Sequence, residues 1–426
     1  MKRVLIITYY WPPTGGSGVQ RWVKFAKYLG QFGWEPVIYT PENPERLAVD
    51  ESLLAELPAG LEVIRRHISE PYAIYHRFFG ASDKGGGVNP LNQQKKTLKQ
   101  RLVVGLRGNL FVPDPRVGWV APSVRFLTDY LKDHPVDAII TTGPPQSMHL
   151  IGMRLARRTG IRWIADFRDP WTEIFYFKYM GLLPWTAARH RRLEQRVLDS
   201  ADAVISVSPP VRDDFQARTS TPVHLITNGF DDEDFVSEPA ELPAGRFTLV
   251  HTGLFASDGN PLRLWDILAA KCASDRNFKT QLRIVLAGKT DTEIIEALAS
   301  RGLSGNVENL GYQPHFKTNA LQRSANVLML PLRQEPEYAK VLPGKIFEYL
   351  AARRPVLGIG QEGGAAAQVL QDAGAGVMYD WDRVEPVRNF IETAWERHVA
   401  GEDAPLSGDI KKYSRLALTE KLAGIL

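Results

Sequence analysis

Short runs rich in β-branched residues, each followed by a stretch of helical periodicity, recur from one end of the chain to the other. In the first half they are Val4–Thr8, Pro36–Thr40, Leu61–Arg65, Ala138–Thr142, Trp163–Asp166, Ala203–Val207 and His224–Thr227. In the second half they are Phe247–Thr252, Leu282–Ala287, Val307–Leu310, Val327–Pro331, Pro355–Ile359 and Gly376–Tyr379. Strands that alternate with helices pair through right-handed crossovers, so the pattern calls for parallel sheets wound with helices. A chain of 426 residues exceeds one ordinary core, and two doubly wound α/β domains of roughly 200 residues each are expected. The acidic, proline-containing stretch from Asp231 to Gly245 precedes a fresh strand and reads as a linker. The expected division is therefore 1–235, 236–400, and a helical tail, 401–426, that packs back toward the first domain.

Residues 80–117 interrupt the alternation. Gly80–Asn89 is rich in Gly, Ser and Asp, and 93–107 sets Lys95, Lys96, Lys99, Arg101 and Arg107 beside a Leu/Val face. This pattern suits a mobile basic amphipathic helix touching an anionic membrane or lipid-linked acceptor, and equally a solvated helix on an insertion. The balance of 52 basic against 48 acidic residues is too even to imply a nucleic-acid partner. The single cysteine, Cys272, excludes an internal disulfide and a cysteine-based metal cluster, fits a reducing compartment, and reads as a small buried apolar side chain. Met1-Lys2-Arg3 leads into an apolar run that breaks at Tyr9-Tyr10-Trp11-Pro12-Pro13, so this is read as the first strand and not as a secretory signal. With no run of 18 apolar residues, no transmembrane helix is expected, and the anticipated location is the cytoplasm or the inner face of the cell membrane.

The first strand runs into Thr14-Gly15-Gly16-Ser17-Gly18 and then an amphipathic stretch, Val19–Leu29. Glycine lets a backbone approach an anion closely, and the N–H groups of a first helical turn are unpaired and partly positive. No Gly-Lys-Ser/Thr follows, which excludes a Walker A loop. Gly16-Ser17-Gly18 is followed by Val-Gln-Arg, and no acidic residue ends the next strand, which excludes the dinucleotide fingerprint.

A second constellation stands far downstream: Pro343-Gly344-Lys345-Ile346-Phe347-Glu348-Tyr349-Leu350-Ala351-Ala352-Arg353-Arg354-Pro355-Val356, a Pro-Gly turn, a short helix, a basic pair and a strand. With the glycine loop, and with Asp202–Ser208, His224–Asp231, Val250-His251-Thr252-Gly253, Leu286-Ala287-Gly288 and Asn309–Tyr312 in that order, it resembles the retaining GT-B glycosyltransferases of family 4, or group 1. Gly143–Ser147 and Ala165–Trp171 are similar to segments of that family's bacterial surface-polysaccharide members. The resemblance implies two Rossmann-like domains facing across a cleft. It also implies transfer of a sugar from a nucleotide diphosphate sugar to a saccharide or lipid-linked acceptor, with retention, and with no metal or other cofactor. A nucleotide-sugar epimerase of the same fold and a catalytically degenerate nucleotide-sugar-binding scaffold are the alternatives.

Residue roles follow from the resemblance. Glu348 would accept the ribose hydroxyls; Gly344 and Lys345 would hold the departing diphosphate; Gly15, Gly16, Gly18 and Gly253 would approach the donor closely. Two departures stand out. Lys340 occupies a position where many members carry an acid, and Gly259 lies about where a lysine is often found, which leaves diphosphate neutralisation to Arg263, Lys289 or Lys345. In the first domain Asp166, Arg168 and Asp169 end a strand. One carboxylate would orient or deprotonate the acceptor hydroxyl while Arg168 binds an acidic acceptor, or an Asp–Arg ion pair merely holds the loop. His149 would sit near the sugar or in the core, and Gln146, Ser147 and Trp171 are placed with the acceptor. Trp171, Phe175, Tyr176, Phe177, Tyr179 and Trp185 would form an acceptor platform or a loop's own small core. Asp232-Glu233-Asp234 matches a metal-binding Asp-x-Asp pattern but reads as solvated charge.

Overall fold

All thirteen runs are strands in the structure, a computed structural model that describes residues 1–44, 49–68, 105–106, 108–235, 245–402 and 406–426. The chain divides into two compact units, Met1–Thr227 with Leu418–Leu426, and Asn228–Ala417.

The first unit holds a seven-stranded parallel sheet in the order β3-β2-β1-β4-β5-β6-β7, with β1 Lys2–Ile7, β2 Trp34–Pro41, β3 Glu62–Arg66, β4 Ala138–Gly143, β5 Arg162–Phe167, β6 Ala203–Ser206 and β7 Val223–Leu225. Its helices are α1 Ser17–Leu29, α2 Val120–Asp133, α3 Ser147–Thr159, α4 Pro184–Ser200 and α5 Pro209–Arg218. Both faces of the sheet are covered. Val4 and Ile6 of β1 join one core with Trp22, Phe25 and Ile140, while Leu5 and Ile7 join the other with Leu127, Ile139 and Ile151. Successive side chains of a strand point to opposite faces, which is why these strands are apolar throughout instead of alternating with polar residues.

The second unit holds a six-stranded parallel sheet in the order β10-β9-β8-β11-β12-β13, with β8 Phe247–Thr252, β9 Leu282–Ala287, β10 Val307–Gly311, β11 Val327–Pro331, β12 Val356–Ile359 and β13 Gly376–Tyr379. Helices α6 Leu262–Ser274, α7 Arg276–Gln281, α8 Thr292–Ala299, α9 His315–Ser324, α10 Lys345–Ala352, α11 Ala365–Asp372 and α12 Val384–Ala400 pack on it. In each sheet the winding direction reverses beside the first strand, between β1 and β4 and between β8 and β11. Ligands of open α/β sheets bind beyond the carboxyl ends of the strands at this reversal.

Two boundaries differ from the linear reading. The division falls between Thr227 and Asn228, and Asp232–Phe235 is a 3₁₀ turn held on α9 by Asn319 Nδ2 donating to the Asp234 carbonyl (3.2 Å) and Arg323 Nη1 to the Phe235 carbonyl (2.9 Å). The first part of the acidic stretch is thus folded structure, not linker; 236–244 lie outside the described residues. The last helix, α13 Arg415–Ala423, buries Leu418 and Leu422 in the first unit's core beside Val4, Ile6 and Trp22. Of the basic segment 93–107, all but residues 105 and 106 lies outside the described residues.

Candidate functional site

In the second unit the site is built on backbone that only glycine permits. Gly253, with φ 85°, follows β8 and donates to the Ala287 carbonyl at 2.7 Å; Gly288, with φ 134°, follows β9 and donates to the Gly311 carbonyl at 2.7 Å. A Cβ on Gly288 would strike the Gly253 carbonyl, so the two strand ends meet backbone to backbone.

α10 begins at this place. Its Lys345 lies beside Gly253, and the ammonium donates to His251 Nε2 (2.9 Å) and to the Leu254 carbonyl (3.2 Å). Burial pushes Lys345 down to about 8, with Glu348 pulling the other way. Because the ammonium donates to Nε2, the His251 proton belongs on Nδ1; burial, and then the Lys345 charge, hold this histidine neutral. Glu348 stands one turn along α10. Its Oε2 accepts from Gln322 Nε2 (3.2 Å) and its Oε1 lies 3.5 Å from His315 Nε2. Burial works to raise its pKa, but the His315 and Gln322 contacts and the Lys345 charge outweigh it, so the carboxylate stays ionised below the ordinary range. Gln322 also bonds Thr252 Oγ1 (3.0 Å), and Tyr349 receives the Thr252 N–H (3.0 Å), so α9, α10 and the end of β8 form one hydrogen-bonded support. About a quarter of the Glu348 side chain remains open to solvent, 23%, which leaves oxygen lone pairs for a ligand.

The remaining cations are less committed to this spot. Arg263 faces Asp266 on its own helix at 3.6 Å and is 63% exposed. Lys289 is exposed immediately after Gly288. Gly259 is closely packed: a Cβ there would lie 2.8 Å from the Leu332 carbonyl oxygen, so a lysine side chain has no room at that position. The adjoining Asp258 is ion-paired to Arg333, at the end of β11, which ties the loop down across the sheet reversal.

In the first unit, the loop after β1 and the loop after β4 meet at the reversal. Gly16, with φ 108°, is exposed and a Cβ there would meet nothing, whereas a Cβ on Gly18 would lie 2.6 Å from Arg168 Nη1. Gly15 precedes them, half-buried. Arg168 donates to the carbonyls of Gly18 (2.7 Å), Gly143 (3.3 Å) and Pro144, and is therefore a brace between the two loops instead of a receptor for an acidic acceptor.

Asp166 is also reassigned. It is completely buried, with Oδ1 paired to Arg21 Nη2 (2.9 Å) and Oδ2 accepting from Arg21 Nε (3.3 Å), Trp22 Nε1 (3.0 Å) and Thr142 Oγ1 (2.9 Å). Arg21 further binds the carbonyls of Ile226 (2.9 Å) and Thr227 (2.7 Å). The ion pair anticipated for this carboxylate exists, but with Arg21, and it stitches α1 to β4 and β5 and to the backbone after β7. No oxygen is left for a substrate.

Among the described residues Asp169 has no such partners. Burial raises its pKa, with the Arg168 charge opposing, which makes its carboxylate more basic than an ordinary one. His149 is a core residue: it stacks on Phe167 with centroids 4.4 Å apart, and burial pushes it down to about 3. Trp163 donates to Thr141 Oγ1 (2.9 Å), which leaves the hydroxyl proton for His149 Nδ1 (2.9 Å) and puts the ring proton on Nε2. Ser147 is spent on Asp114, its N–H and Oγ donating to the two carboxylate oxygens at 2.8 Å each, so Asp114 caps α3. Gln146 Oε1 is buried next to Gly143 and has no partner among the described residues. The aromatic run divides. Trp171 and Phe175 are buried, and Trp171 donates to His190 Nδ1 (3.0 Å) while Glu194 collects the N–H groups of Trp171 and Thr172 (3.1 Å each); Tyr179 and Trp185 are exposed. Trp171 is thus the loop's own core and not an acceptor platform. His251, Gln322 and Arg21 were missed in the linear reading because each acts through a partner distant in sequence.

Comparison with known proteins is consistent with this geometry. A family model described as Glycosyltransferase Family 4 matches residues 16–234, and one described as Glycosyl transferases group 1 matches residues 247–395. No curated protein sequence matches the chain. Among solved structures, Anabaena HepE in complex with UDP-glucose is similar at 14% identity and TM-score 0.60, over 100% of this chain and 99% of that one. WaaG, a glycosyltransferase involved in lipopolysaccharide biosynthesis, is similar at 14% identity and TM-score 0.54, over 99% of each chain. A putative UDP-N-acetylglucosamine 2-epimerase from Listeria monocytogenes is similar at 9% identity and TM-score 0.55, over 99% of this chain and 94% of that one. At these identities the likeness concerns the fold, which is the two-sheet GT-B architecture.

Proposed function

The chain belongs to glycosyltransferase family 4, with a group 1 carboxy-terminal half, and on that footing we propose that it moves a sugar from a nucleoside diphosphate sugar to a saccharide or lipid-linked acceptor, with retention and without a metal ion. The observation that carries this reading is the pairing of a cation and an ionised carboxylate one turn apart on α10, at strand ends bared by Gly253 and Gly288. Glu348 accepts the two ribose hydroxyls of the donor. Lys345 and the start of α10 at Gly344 meet the diphosphate, whose charge grows as its bond to the anomeric carbon breaks. Gly15, Gly16 and Gly18, with Gln146, serve the sugar and acceptor. The acceptor oxygen bonds to the anomeric carbon while its proton passes to the Asp169 carboxylate, whose raised basicity suits it to that task.

A thermal-shift series against UDP, GDP, ADP, dTDP and CDP, with transfer assayed on the nucleotide sugar that stands out, tests the reading. One nucleotide raises the melting temperature of the wild type, and Glu348→Gln abolishes that shift, since a ligand stabilises only the state that binds it. Asp169→Asn retains the shift and loses transfer by about 10²-fold or more. Transfer persists in a chelator. Absence of a shift with every nucleotide, or conversion of the donor sugar without an acceptor, would overturn the transferase reading in favour of a degenerate scaffold or an epimerase.

A further inference from the structure

Five large apolar side chains stand out from the first unit in one neighbourhood: Leu106, Leu110, Tyr179, Leu183 and Trp185, the last 70% exposed. They belong to two segments that are locked together. Residues 105–106 and 108–110 are helical, and Asn109 donates to the carbonyls of Gly105 (2.7 Å) and Gly181 (3.0 Å) while its Oδ1 accepts from the Leu183 N–H (2.8 Å). Gly108 lies against Leu182, where a Cβ would stand 2.8 Å from its Cδ2.

Trp185 then opens α4, and the residues that follow it at helical spacing on the same side are Arg189, Arg192 and Arg196, all exposed. The opposite side of α4 is buried through Thr186, His190, Glu194, Val197 and Leu198. The helix carries two acids: Glu194 is turned inward onto Arg218 at 2.8 Å, and Asp199, exposed three residues beyond Arg196 at the far end of the row, accepts from Gln195 Nε2 at 2.9 Å. The apolar cluster and the guanidinium row therefore make one continuous surface. Tryptophan and leucine beside a line of arginines is the pairing that a bilayer rewards: the rings and aliphatic chains enter the headgroup boundary while the cations meet anionic lipid phosphates. A folded protein partner would have to supply a matching line of carboxylates, which nothing on this surface selects over a lipid phosphate plane.

We propose that this surface, the apolar cluster of Leu106, Leu110, Tyr179, Leu183 and Trp185 with the Arg189–Arg192–Arg196 row, seats the protein on an anionic bilayer, with α4 lying along the headgroup plane. The inference goes beyond the donor reading and does not depend on it, because vesicle binding is measured with no nucleotide present.

Flotation of the full chain with vesicles of phosphatidylcholine alone, or of phosphatidylcholine with phosphatidylglycerol, tests it. The wild type floats with the phosphatidylglycerol vesicles and not with the neutral ones. The Arg189→Glu/Arg192→Glu/Arg196→Glu variant loses about a hundredfold in partition, given the attraction each basic residue contributes near an anionic surface. Leu183→Ser/Trp185→Ser remains attracted at low salt but is released at high salt, where screening removes the charge contribution. An unchanged melting temperature certifies each variant as folded, which is expected of substitutions at exposed positions. The proposal is overturned if the wild type floats with neither vesicle, or with both alike, or if the charge-reversed variant floats as the wild type does.

Discussion

Single residues in this protein are told apart by who their partners are. Asp166 and Asp169 stand three positions apart in sequence; one is saturated by Arg21, Trp22 and Thr142, and the other keeps a raised pKa and, among the described residues, no hydrogen-bonded donor. Nothing in Ala165–Trp171 distinguishes them, because Arg21 and Trp22 arrive from α1. Lys345 and Glu348 were legible from their local motif, since a Pro-Gly turn into a short helix sets both on one face. The state of Lys345 was not, because it depends on His251 and the Leu254 carbonyl. That state has a consequence in pH. Nucleoside diphosphate affinity should fall as pH rises through about 8, where Lys345 loses its charge. The folded value lies below the ordinary 10.5, so between those limits the unfolded chain holds the extra proton, and this group by itself makes the fold more stable as pH rises. Titration calorimetry across the window should show weakening affinity with no parallel fall in melting temperature attributable to this lysine, and Lys345→Met should remove the pH dependence.

At the scale of elements, the loops at the carboxyl ends of β8, β9 and β11 are packed backbone on backbone, and this sets what side chains they admit. The linear reading marks Gly259 as a missing lysine. The structure supplies the reason: the Leu332 carbonyl occupies the space a Cβ would need. Restoring the family's residue with Gly259→Lys should therefore destabilise the second unit by about 1–3 kcal/mol, as overpacking does, and weaken nucleotide binding instead of strengthening it. Chemical denaturation beside a nucleotide titration checks both. Ser147 and Trp171 illustrate the converse. Each has a residue type suited to an acceptor site, yet α3 capping by Asp114 and the Glu194 hub use them to hold elements together.

For the whole molecule, the winding of both sheets could be read from β-branched runs and their spacing, because burial of both sheet faces forces continuous apolar strands. The linear reading expects the carboxy-terminal tail to pack back toward the first domain, but which of its side chains enter that core could not be read. Leu418 and Leu422 complete a core whose other members include Val4 and Ile6 near the opposite terminus, so Leu422→Ala should cost the first unit about 2–5 kcal/mol, seen as an earlier denaturation of that unit with the nucleotide-induced shift retained. The sequence by itself determined the fold class, the glycine-bearing strand ends and the Lys345–Glu348 helix, since all of these arise from local periodicity and short spacing. Tertiary structure alone decided which carboxylate is consumed as Arg21's partner, which aromatic rings are core and which stand in solvent, and why Gly259 admits no side chain. Each of these is fixed by contacts between segments far apart in the chain, and local pattern carries no record of them.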